Sequence, residues 1–152
     1  MYTLHRSFLD HSFCDYIASV YKDAFIYDPS PRGTWNAYTL KNKTLYSEIL
    51  AKFSPLVDYE FTTNWINVTE YSNDRGLWSH TDERSSLTIV SEISDNYIGG
   101  RFIINKDTYI KLNKGDVVMF NGSKIYHGVE PVSKGIRLSL NLWTQEISSK
   151  LL

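Results

Sequence analysis

Residues 99–143 read GGRFIINKDTYIKLNKGDVVMFNGSKIYHGVEPVSKGIRLSLNLW, and this stretch alternates short apolar runs with turn signals. The runs are rich in β-branched and aromatic residues, which favour strands. Turn-forming residues separate them at Gly99-Gly100, Asn113-Lys114-Gly115 and Asn121-Gly122, as in β-hairpins. The predicted strands are Phe102–Ile104, Tyr109–Leu112, Val117–Phe120, Ile125–Val129 and Ile136–Trp143. This pattern predicts an antiparallel sandwich or barrel.

The chain before residue 60 is typical of helices. Asp10 is in a position to cap a helix, and apolar residues recur after it at helical spacing: Phe13, Ile17, Val20 and Ala24. A second helix is predicted from about Asn42 to Phe53, with Leu45, Ile49 and Phe53 facing inward, and Pro55 helps to end it. The segment Asp28–Gly33 contains two prolines and a glycine, so we expect a loop there.

Two more strand-like runs, Trp65–Tyr71 and Leu87–Ile93, precede the predicted hairpins. Helices followed by many strands predict the α+β class. The core is expected to be a double-stranded β-helix (jelly roll) with N-terminal helices packed against it. We expect one domain over residues 1–152, helical over about 1–58 and a jelly roll over about 59–146.

Charge and composition argue against several kinds of partner. The net charge is −1, which gives no support for binding a phosphate backbone. No stretch approaches the ~20 apolar residues that a membrane span needs, and the first nine residues lack the pattern of a signal peptide. A single cysteine, Cys14, excludes an intramolecular disulfide. We therefore expect a cytoplasmic protein without a membrane partner.

Three residues have the types and spacing of a metal site. His80 and Asp82 are two positions apart, so an extended backbone directs both side chains to one side. His127 lies in a predicted strand, and two imidazoles with one carboxylate can form a facial triad on iron(II) that leaves three positions open. Zinc accepts the same ligands and is an alternative. A further alternative is that His80 and Asp82 lie in a surface loop and that His127 is a hydrogen-bonded strand residue.

The last predicted strand carries a polar stripe. Arg137, Ser139 and Asn141 alternate there with isoleucine and leucine residues. A buried guanidinium is unfavourable unless an anion meets it. A dicarboxylic acid would supply that anion by a two-pronged contact with Arg137. The alternative is that the stripe faces solvent.

Together these residues resemble those of the 2-oxoglutarate and iron(II)-dependent oxygenases, most closely their prolyl 4-hydroxylase-like branch. The matching pieces occur in the family's order: Tyr71, His80-Thr81-Asp82, Tyr97-Ile98-Gly99-Gly100, Gly115–Phe120, His127-Gly128-Val129, Arg137 and Trp143. The combination is specific, although each piece alone is a weak match.

The resemblance implies a dioxygenase with iron(II) as cofactor, 2-oxoglutarate and O2 as co-substrates, and ascorbate as a candidate reductant. Succinate and carbon dioxide would be co-products. Arg137 would bind the far carboxylate of 2-oxoglutarate, with the hydroxyl groups of Tyr71 and Ser139 as further contacts. Trp78 and Arg84 flank the metal motif and are candidate substrate contacts.

Two positions distinguish this chain from branches of the family. The prolyl branch commonly has a tyrosine in the strand before the Gly-Gly turn, where this chain has Glu92. The branch that repairs alkylated nucleic acids carries a second arginine six residues after the first, where this chain has Trp143. We expect the substrate to be a peptide or protein side chain, such as proline, rather than nucleic acid. The alternatives are an oxygenase of a nucleobase or small metabolite, a zinc hydrolase and a non-catalytic jelly-roll binding module.

Overall fold

Within residues 1–29 and 35–146, which the computed structural model describes, the chain forms two antiparallel β-sheets and two α-helices. The helices are α1 (His11–Ala24) and α2 (Lys43–Phe53), and a 3-10 turn follows at Ser54–Leu56. The strands are β1 (Tyr2–His5), β2 (Phe25–Pro29), β3 (Asn36–Leu40), β4 (Phe61–Tyr71), β5 (Arg75–His80), β6 (Leu87–Glu92), β7 (Tyr97–Gly99), β8 (Phe102–Ile104), β9 (Thr108–Ile110), β10 (Val117–Phe120), β11 (His127–Gly135) and β12 (Arg137–Glu146).

The strand order places β12 at the centre of the larger sheet. In the described part of the chain, seven strands form this sheet in the order β1-β10-β6-β12-β4-β3-β2. Five strands form the smaller sheet, in the order β5-β11-β8-β9 with β7 also paired to β11. Many neighbours within the sheets come from distant parts of the chain, as in a jelly roll. The predicted α+β class and jelly-roll core are confirmed.

Two apolar layers lie on either side of the larger sheet. One joins this sheet to the helices and includes Ile17, Ile49 and Leu140, which are fully buried. The other includes Phe102 and Ile104 and lies between the two sheets. Burial of each large apolar side chain stabilises the fold by about 1.5–3 kcal/mol. The helices therefore cover one face of the sheet, and the second sheet covers the other.

Alternation along β12 divides its side chains between these layers. Leu140 and Leu142 belong to the layer on the helix side. Arg137, Ser139 and Asn141 line a cavity between the sheets and are buried. The prediction that the polar stripe faces inward is confirmed, and the solvent-facing alternative is wrong.

The N-terminal third contains strands that the sequence did not predict. β1 pairs with β10 at one edge of the larger sheet, and the β2–β3 hairpin extends the other edge by pairing with β4. The interpretation of residues 1–58 as helical is wrong for these segments. Asp28 and Pro29, predicted as loop, belong to β2, and residues 30–34 lie outside the described residues. These strands are ordered by partners distant in sequence, which local periodicity does not record.

Both predicted helices are present. α1 begins after Asp10, whose backbone has an extended N-cap conformation but whose side chain makes no capping hydrogen bond. At the start of α2, the side chain of Asn42 accepts a hydrogen bond from the N–H of Leu45 at 2.9 Å, which satisfies a free donor of the first turn. Cys14 is fully buried on α1, and burial raises the pKa of its thiol to about 11. Among the described residues, no helix has the length and apolar character needed to cross a membrane.

Another unpredicted strand, β5, leads into the metal motif. His80 is the last residue of β5, which is a separate strand from β4, the strand that ends at Tyr71. β11 begins at His127, two residues later than expected, and continues to Gly135. Gly76 permits the close approach of β5 to β11, because a Cβ atom there would lie 2.4 Å from the carbonyl oxygen of Val129. β5 is therefore stabilised as a strand by its pairing with β11.

Candidate metal centre

Two neighbouring strands bring the predicted metal ligands together. His80 ends β5 and His127 begins β11, and these residues are paired in the ladder. Asp82 lies in the following loop, where its backbone N–H donates to the carbonyl oxygen of Gly122 at 2.8 Å. One possible ligand atom from each of His80, Asp82 and His127 lies within 4.8 Å of the others. The three side chains are thus close enough to share one metal ion.

Both imidazole rings are oriented by backbone carbonyl groups. Nδ1 of His80 lies 3.0 Å from the carbonyl oxygen of Trp78, and Nδ1 of His127 lies 2.9 Å from that of Ile125. A carbonyl oxygen only accepts hydrogen bonds, so Nδ1 of each ring carries a proton and donates it. When Nε2 releases the proton with which it can bond to Asp82, its lone pair is available to a metal. Such hydrogen bonds are typical of metal-binding histidines, whose ring orientation they fix.

Asp82 supplies negative charge between the two rings. Its Oδ1 lies 3.2 Å from Nε2 of His80, and its Oδ2 lies 2.9 Å from Nε2 of His127. Burial raises the pKa of Asp82, but hydrogen bonds with the two histidines outweigh burial and hold this pKa well below its usual range. Burial lowers the pKa of His80, whereas its hydrogen bond with Asp82 makes the net shift upward. Asp82 is therefore a carboxylate at neutral pH, the form that binds a metal.

Trp143 holds the carboxylate of Asp82 from the larger sheet. Its indole Nε1 donates to Oδ2 of Asp82 at 2.8 Å. Gly122 lies against the same carboxylate, since a Cβ atom there would lie 3.1 Å from Oδ2 of Asp82 and 2.0 Å from Oγ1 of Thr88. The sequence identified Trp143 only as a family marker. Its place in the period-two stripe that begins at Arg137 is the signal that could have revealed this contact.

A cavity of about 150 Å³ between the two sheets joins the three ligands to the predicted co-substrate residues. It is lined by six of the residues that the sequence singled out: His80, Asp82, His127, Tyr71, Arg137 and Ser139. Its walls also include residues that sequence reasoning missed: Trp35, Asn67, Thr69, Leu77, Val90 and Phe102. Asn67 and Thr69 precede Tyr71 at alternate positions on β4, so the same period of two could have revealed them.

Arg137 is completely buried and carries several hydrogen-bond donors. Its Nε donates to Oε2 of Glu92 at 2.9 Å. Its terminal nitrogens, Nη1 and Nη2, have no hydrogen-bond partner among the described residues. The guanidinium carbon lies 5.5 Å from the centre of the Tyr71 ring. Buried charged donors without acceptors are unfavourable, so this geometry fits an anionic ligand such as a carboxylate.

Gly100 leaves room for the stem of Arg137. A Cβ atom at Gly100 would lie 3.1 Å from Cδ of Arg137 and 2.8 Å from Cγ2 of Val132. Its backbone φ of 67° is also in the left-handed region, which favours glycine. The Gly-Gly turn thus supports the arginine sterically as well as connecting two strands.

Hydrogen bonds between β4 and β12 fix the polar floor of the cavity. Oγ of Ser139 lies 2.6 Å from Oγ1 of Thr69. Nδ2 of Asn141 donates to Oδ1 of Asn67 at 3.1 Å and to Oγ1 of Thr69 at 3.0 Å. Ser139 therefore faces the cavity as predicted, with its hydroxyl group already engaged by a neighbouring strand.

Trp78 and Arg84 do not line this cavity. The ladder between β5 and β11 shifts register between His127 and Val129, which disturbs the alternation of β5. Leu77 consequently lines the cavity, whereas Trp78 lies in a separate surface groove and is 54% exposed. This bulge therefore places Trp78, a predicted substrate contact, outside the cavity.

Arg84 lies in a surface depression on the outer side of Asp82. Trp65, Trp143 and Gln145 also line this depression. The backbone carbonyl of Arg84 accepts a hydrogen bond from Nε2 of Gln145 at 2.8 Å. A contact between Arg84 and a substrate would therefore be made outside the cavity.

Known proteins are similar to this chain in sequence and in fold. The family model of the 2OG-Fe(II) oxygenase superfamily matches residues 66–145. A PKHD-type hydroxylase of Xanthomonas euvesicatoria is 29% identical over 118 residues, which cover 70% of this chain and 51% of the relative. The PKHD-type hydroxylase YbiX of Escherichia coli is 32% identical over 80 residues, covering 50% of this chain and 34% of the relative. The chain spans about half or less of the length of these relatives.

Solved structures share the fold at low sequence identity. A 2OG-Fe(II) oxygenase-family oxidoreductase from Burkholderia pseudomallei has a TM-score of 0.76 and 13% identity, covering 95% of this chain and 84% of that one. A prolyl-4-hydroxylase from Pseudomonas putida has a TM-score of 0.71 and 15% identity, covering 97% and 93%. At these identities, the likeness establishes the fold alone. Because the family model matches more than half of the 152 residues, this chain belongs to the 2OG-Fe(II) oxygenase superfamily.

Proposed function

We propose that this protein is an iron(II)- and 2-oxoglutarate-dependent dioxygenase that hydroxylates a peptidyl side chain such as proline. The observation that carries the proposal is one cavity that contains both a His-Asp-His group and a buried arginine with two nitrogens for which the described residues offer no hydrogen-bond partner. 2-Oxoglutarate has a keto acid that can chelate a metal and a far carboxylate that can meet a guanidinium. It therefore fits both ends of this site, and the family implies the same co-substrate.

Each residue of the cavity has a distinct part in the proposed reaction. When bound, iron(II) and 2-oxoglutarate supply the activation of dioxygen, with succinate and carbon dioxide as co-products. His80, Asp82 and His127 would hold the metal on one side. Nη1 and Nη2 of Arg137 would bind the far carboxylate, and the buried hydroxyl of Tyr71 would donate to the same end. The apolar walls would exclude water, which strengthens these polar contacts.

The arginine favours an oxygenase over the two alternatives from other classes. A zinc hydrolase could use the same three ligands, but its chemistry does not call for a completely buried cation in the same cavity. A non-catalytic binding module does not require a carboxylate between two oriented imidazoles. The combination of both features supports the oxygenase.

Three observations support a peptide or protein substrate. The net charge of −1 gives no general attraction to nucleic acid. Trp143 occupies the position where the nucleic-acid branch carries a second arginine, and it stacks on Trp65 with ring centres 4.6 Å apart. Trp35 and Trp65 add flat walls to the cavity, and Trp65 is 40% exposed at its surface. Such walls suit a proline ring in an extended peptide. They would also stack on a flipped base, which keeps a nucleobase substrate as the second candidate.

Turnover with different metals tests the proposed activity. Wild-type protein should form succinate from 2-oxoglutarate with iron(II) and ascorbate under air, and should form none with zinc. His80→Ala should abolish this turnover because a facial triad has no spare protein ligand. Full turnover in His80→Ala, or none in the wild type across candidate substrates, would contradict the proposal.

The substrate is tested by mass spectrometry on the iron-loaded enzyme. Proline-rich peptides, single-stranded DNA and free nucleosides would be incubated separately and examined for a gain of one oxygen. We expect the gain on a peptide. Oxidised nucleoside with unchanged peptides would replace the peptide with a nucleobase as the substrate.

A further inference from the structure

The carboxylate behind Arg137 points to another functional residue. Glu92 is the last residue of β6, lies opposite Ser139 of β12 in the ladder and is completely buried. It does not line the cavity itself, but its Oε2 accepts the Nε–H of Arg137 at 2.9 Å. Glu92 therefore reaches the cavity through the arginine.

Glu92 is itself held in place by other side chains. Its Oε2 also accepts a hydrogen bond from the hydroxyl of Tyr97 at 3.1 Å. Its Oε1 accepts one from Oγ of Ser94 at 2.9 Å. With both oxygens engaged, the carboxylate cannot rotate without losing hydrogen bonds that are difficult to replace in a buried position. The position of Glu92 is thus set independently of any ligand.

This arrangement determines which nitrogens of Arg137 remain available. The guanidinium is planar, so fixing its Nε side fixes the direction of the rest of the group. Nη1 and Nη2 then form a pair of donors without protein acceptors among the described residues, in a side chain that lines the cavity. Two donors in one plane match the two oxygens of a carboxylate. Glu92 also places a carboxylate against Arg137, so that the buried cation is not isolated.

We propose that Glu92 is a positioning residue that directs Arg137 toward the far carboxylate of the co-substrate, and so sets a preference for 2-oxo acids that have one. This inference rests on the proposed function. If the role of Glu92 were only structural, substituting it would change the affinities for all 2-oxo acids by a similar factor. A positioning residue changes the ratio between acids with and without a far carboxylate.

The test compares two ligands on three forms of the protein. Calorimetry would measure binding of 2-oxoglutarate and of 2-oxobutyrate, which has the same keto acid but no far carboxylate, to the nickel(II)-loaded protein. Glu92→Asp retains the charge but shortens the side chain beyond hydrogen-bond reach of Nε. It should reduce the preference for 2-oxoglutarate by about tenfold or more, as expected for loss of a charge-assisted hydrogen bond. Glu92→Gln retains length and one acceptor oxygen, so its preference should stay within about threefold of wild type or rise.

Two further variants distinguish a loss of positioning from a general effect of misfolding. Tyr97→Phe removes one anchor of Glu92 while keeping the ring, and should reduce the preference in the same direction but less. Glu70→Gln is the matched control, because Glu70 is a glutamate on β4 that binds Tyr21 and Asn36 instead of the site.

The outcomes separate this inference from the proposed function. A wild-type protein that binds neither acid would contradict the proposed function. A wild type that prefers 2-oxoglutarate, with the same preference in Glu92→Asp and Tyr97→Phe, would overturn the role of Glu92 alone. The positioning role of Glu92 would be established if the preference for 2-oxoglutarate over 2-oxobutyrate falls in Glu92→Asp. The same preference must be retained in Glu92→Gln and in Glu70→Gln.

Discussion

At the residue scale, Asp82 and Arg137 hold opposite charges in one cavity, and each has side-chain partners that fix its position. Asp82 lies between His80 and His127 and receives the indole hydrogen bond of Trp143. Arg137 donates from Nε to Glu92, whereas its Nη1 and Nη2 have no hydrogen-bond partner in the part of the chain that the structure describes. Because the protein itself supplies these contacts, they preorganise the polar groups of the site, which reduces the entropy lost on binding.

Arg137→Ala should weaken binding of 2-oxoglutarate far more than binding of the metal. Removal of one partner of a desolvated charge pair costs about 2–5 kcal/mol, or roughly thirtyfold to several-thousandfold in affinity. Arg137→Lys should lose less, because lysine keeps the charge but not the planar fork. Calorimetry with the nickel(II)-loaded protein measures both affinities. Arg101→Ala is a control, since Arg101 pairs with Glu130 at the surface. An unchanged affinity in Arg137→Ala would place the anchor elsewhere.

Trp143→Phe should weaken metal binding while preserving the fold. The substitution keeps an aromatic ring against Trp65 but removes the donor to Oδ2 of Asp82. Loss of a hydrogen bond that orients a metal ligand typically lowers metal affinity by about ten- to a hundredfold. Competition with a chelator of known affinity would measure the change. Trp78→Phe, outside the cavity, should behave as wild type; equal affinities in all three proteins would show that Trp143 does not orient Asp82.

At the element scale, the strands with strong local patterns were predicted, and those ordered by distant partners were not. β12 is an example of the first kind, because its leucines alternate with Arg137, Ser139 and Asn141 along one run. β5 is of the second kind, since its sequence RGLWSH contains few strand-forming residues and it is ordered by pairing with β11. The metal ligands could be predicted from residue type and spacing. The outward position of Trp78 could not, because it follows from a register shift between two strands.

The turn that contains Gly122 should not tolerate even the methyl group of an alanine at this position. Gly122→Ala would place a Cβ atom 2.0 Å from Oγ1 of Thr88 and 3.1 Å from Oδ2 of Asp82. Either Thr88 moves and its hydrogen bond with Ser85 is disturbed, or the turn shifts together with the hydrogen bond from the N–H of Asp82 to the carbonyl of Gly122. We expect a loss of about 1–3 kcal/mol in the free energy of unfolding, as for other overpacked sites, together with weaker metal binding.

Denaturant unfolding and chelator competition would measure the two effects of Gly122→Ala. Adding Thr88→Ala, which removes the nearest clashing atom, should recover part of the stability. A Gly122→Ala protein with wild-type stability and metal affinity would show that the turn does not support the carboxylate.

At the scale of the whole molecule, one face of the larger sheet packs against the helices and the other lines the cavity. Its outer face packs on the helices, and Leu142 of β12 and Ile17 of α1 belong to the same apolar cluster there. Its inner face, with the smaller sheet, encloses the cavity and carries the polar floor of Ser139 and Asn141. The metal ligands come from the smaller sheet and its loop, whereas Arg137 comes from the larger one. A ligand that spans both should therefore stabilise the contact between the sheets.

Metal and 2-oxoglutarate together should raise the melting temperature more than either alone. A ligand at about one hundred times its dissociation constant stabilises the folded state by about 2.7 kcal/mol. For a chain of this size, each kcal/mol corresponds to roughly 2–4 °C, so a shift of about 5–10 °C is expected. Differential scanning calorimetry with nickel(II) would measure it. His80→Ala should lose most of the metal-dependent shift; an equal shift in that variant would mean that the metal binds elsewhere.

The most direct test of the central claim is an anaerobic absorption titration of the protein with iron(II) and 2-oxoglutarate. Iron held by His80, Asp82 and His127 and chelated by the keto acid should produce a weak visible band that appears only when both are present. Arg137→Ala should need much more 2-oxoglutarate to reach the same band, and His80→Ala should not produce it. The absence of a band in the wild type, or its unchanged appearance in His80→Ala, would contradict the proposed site.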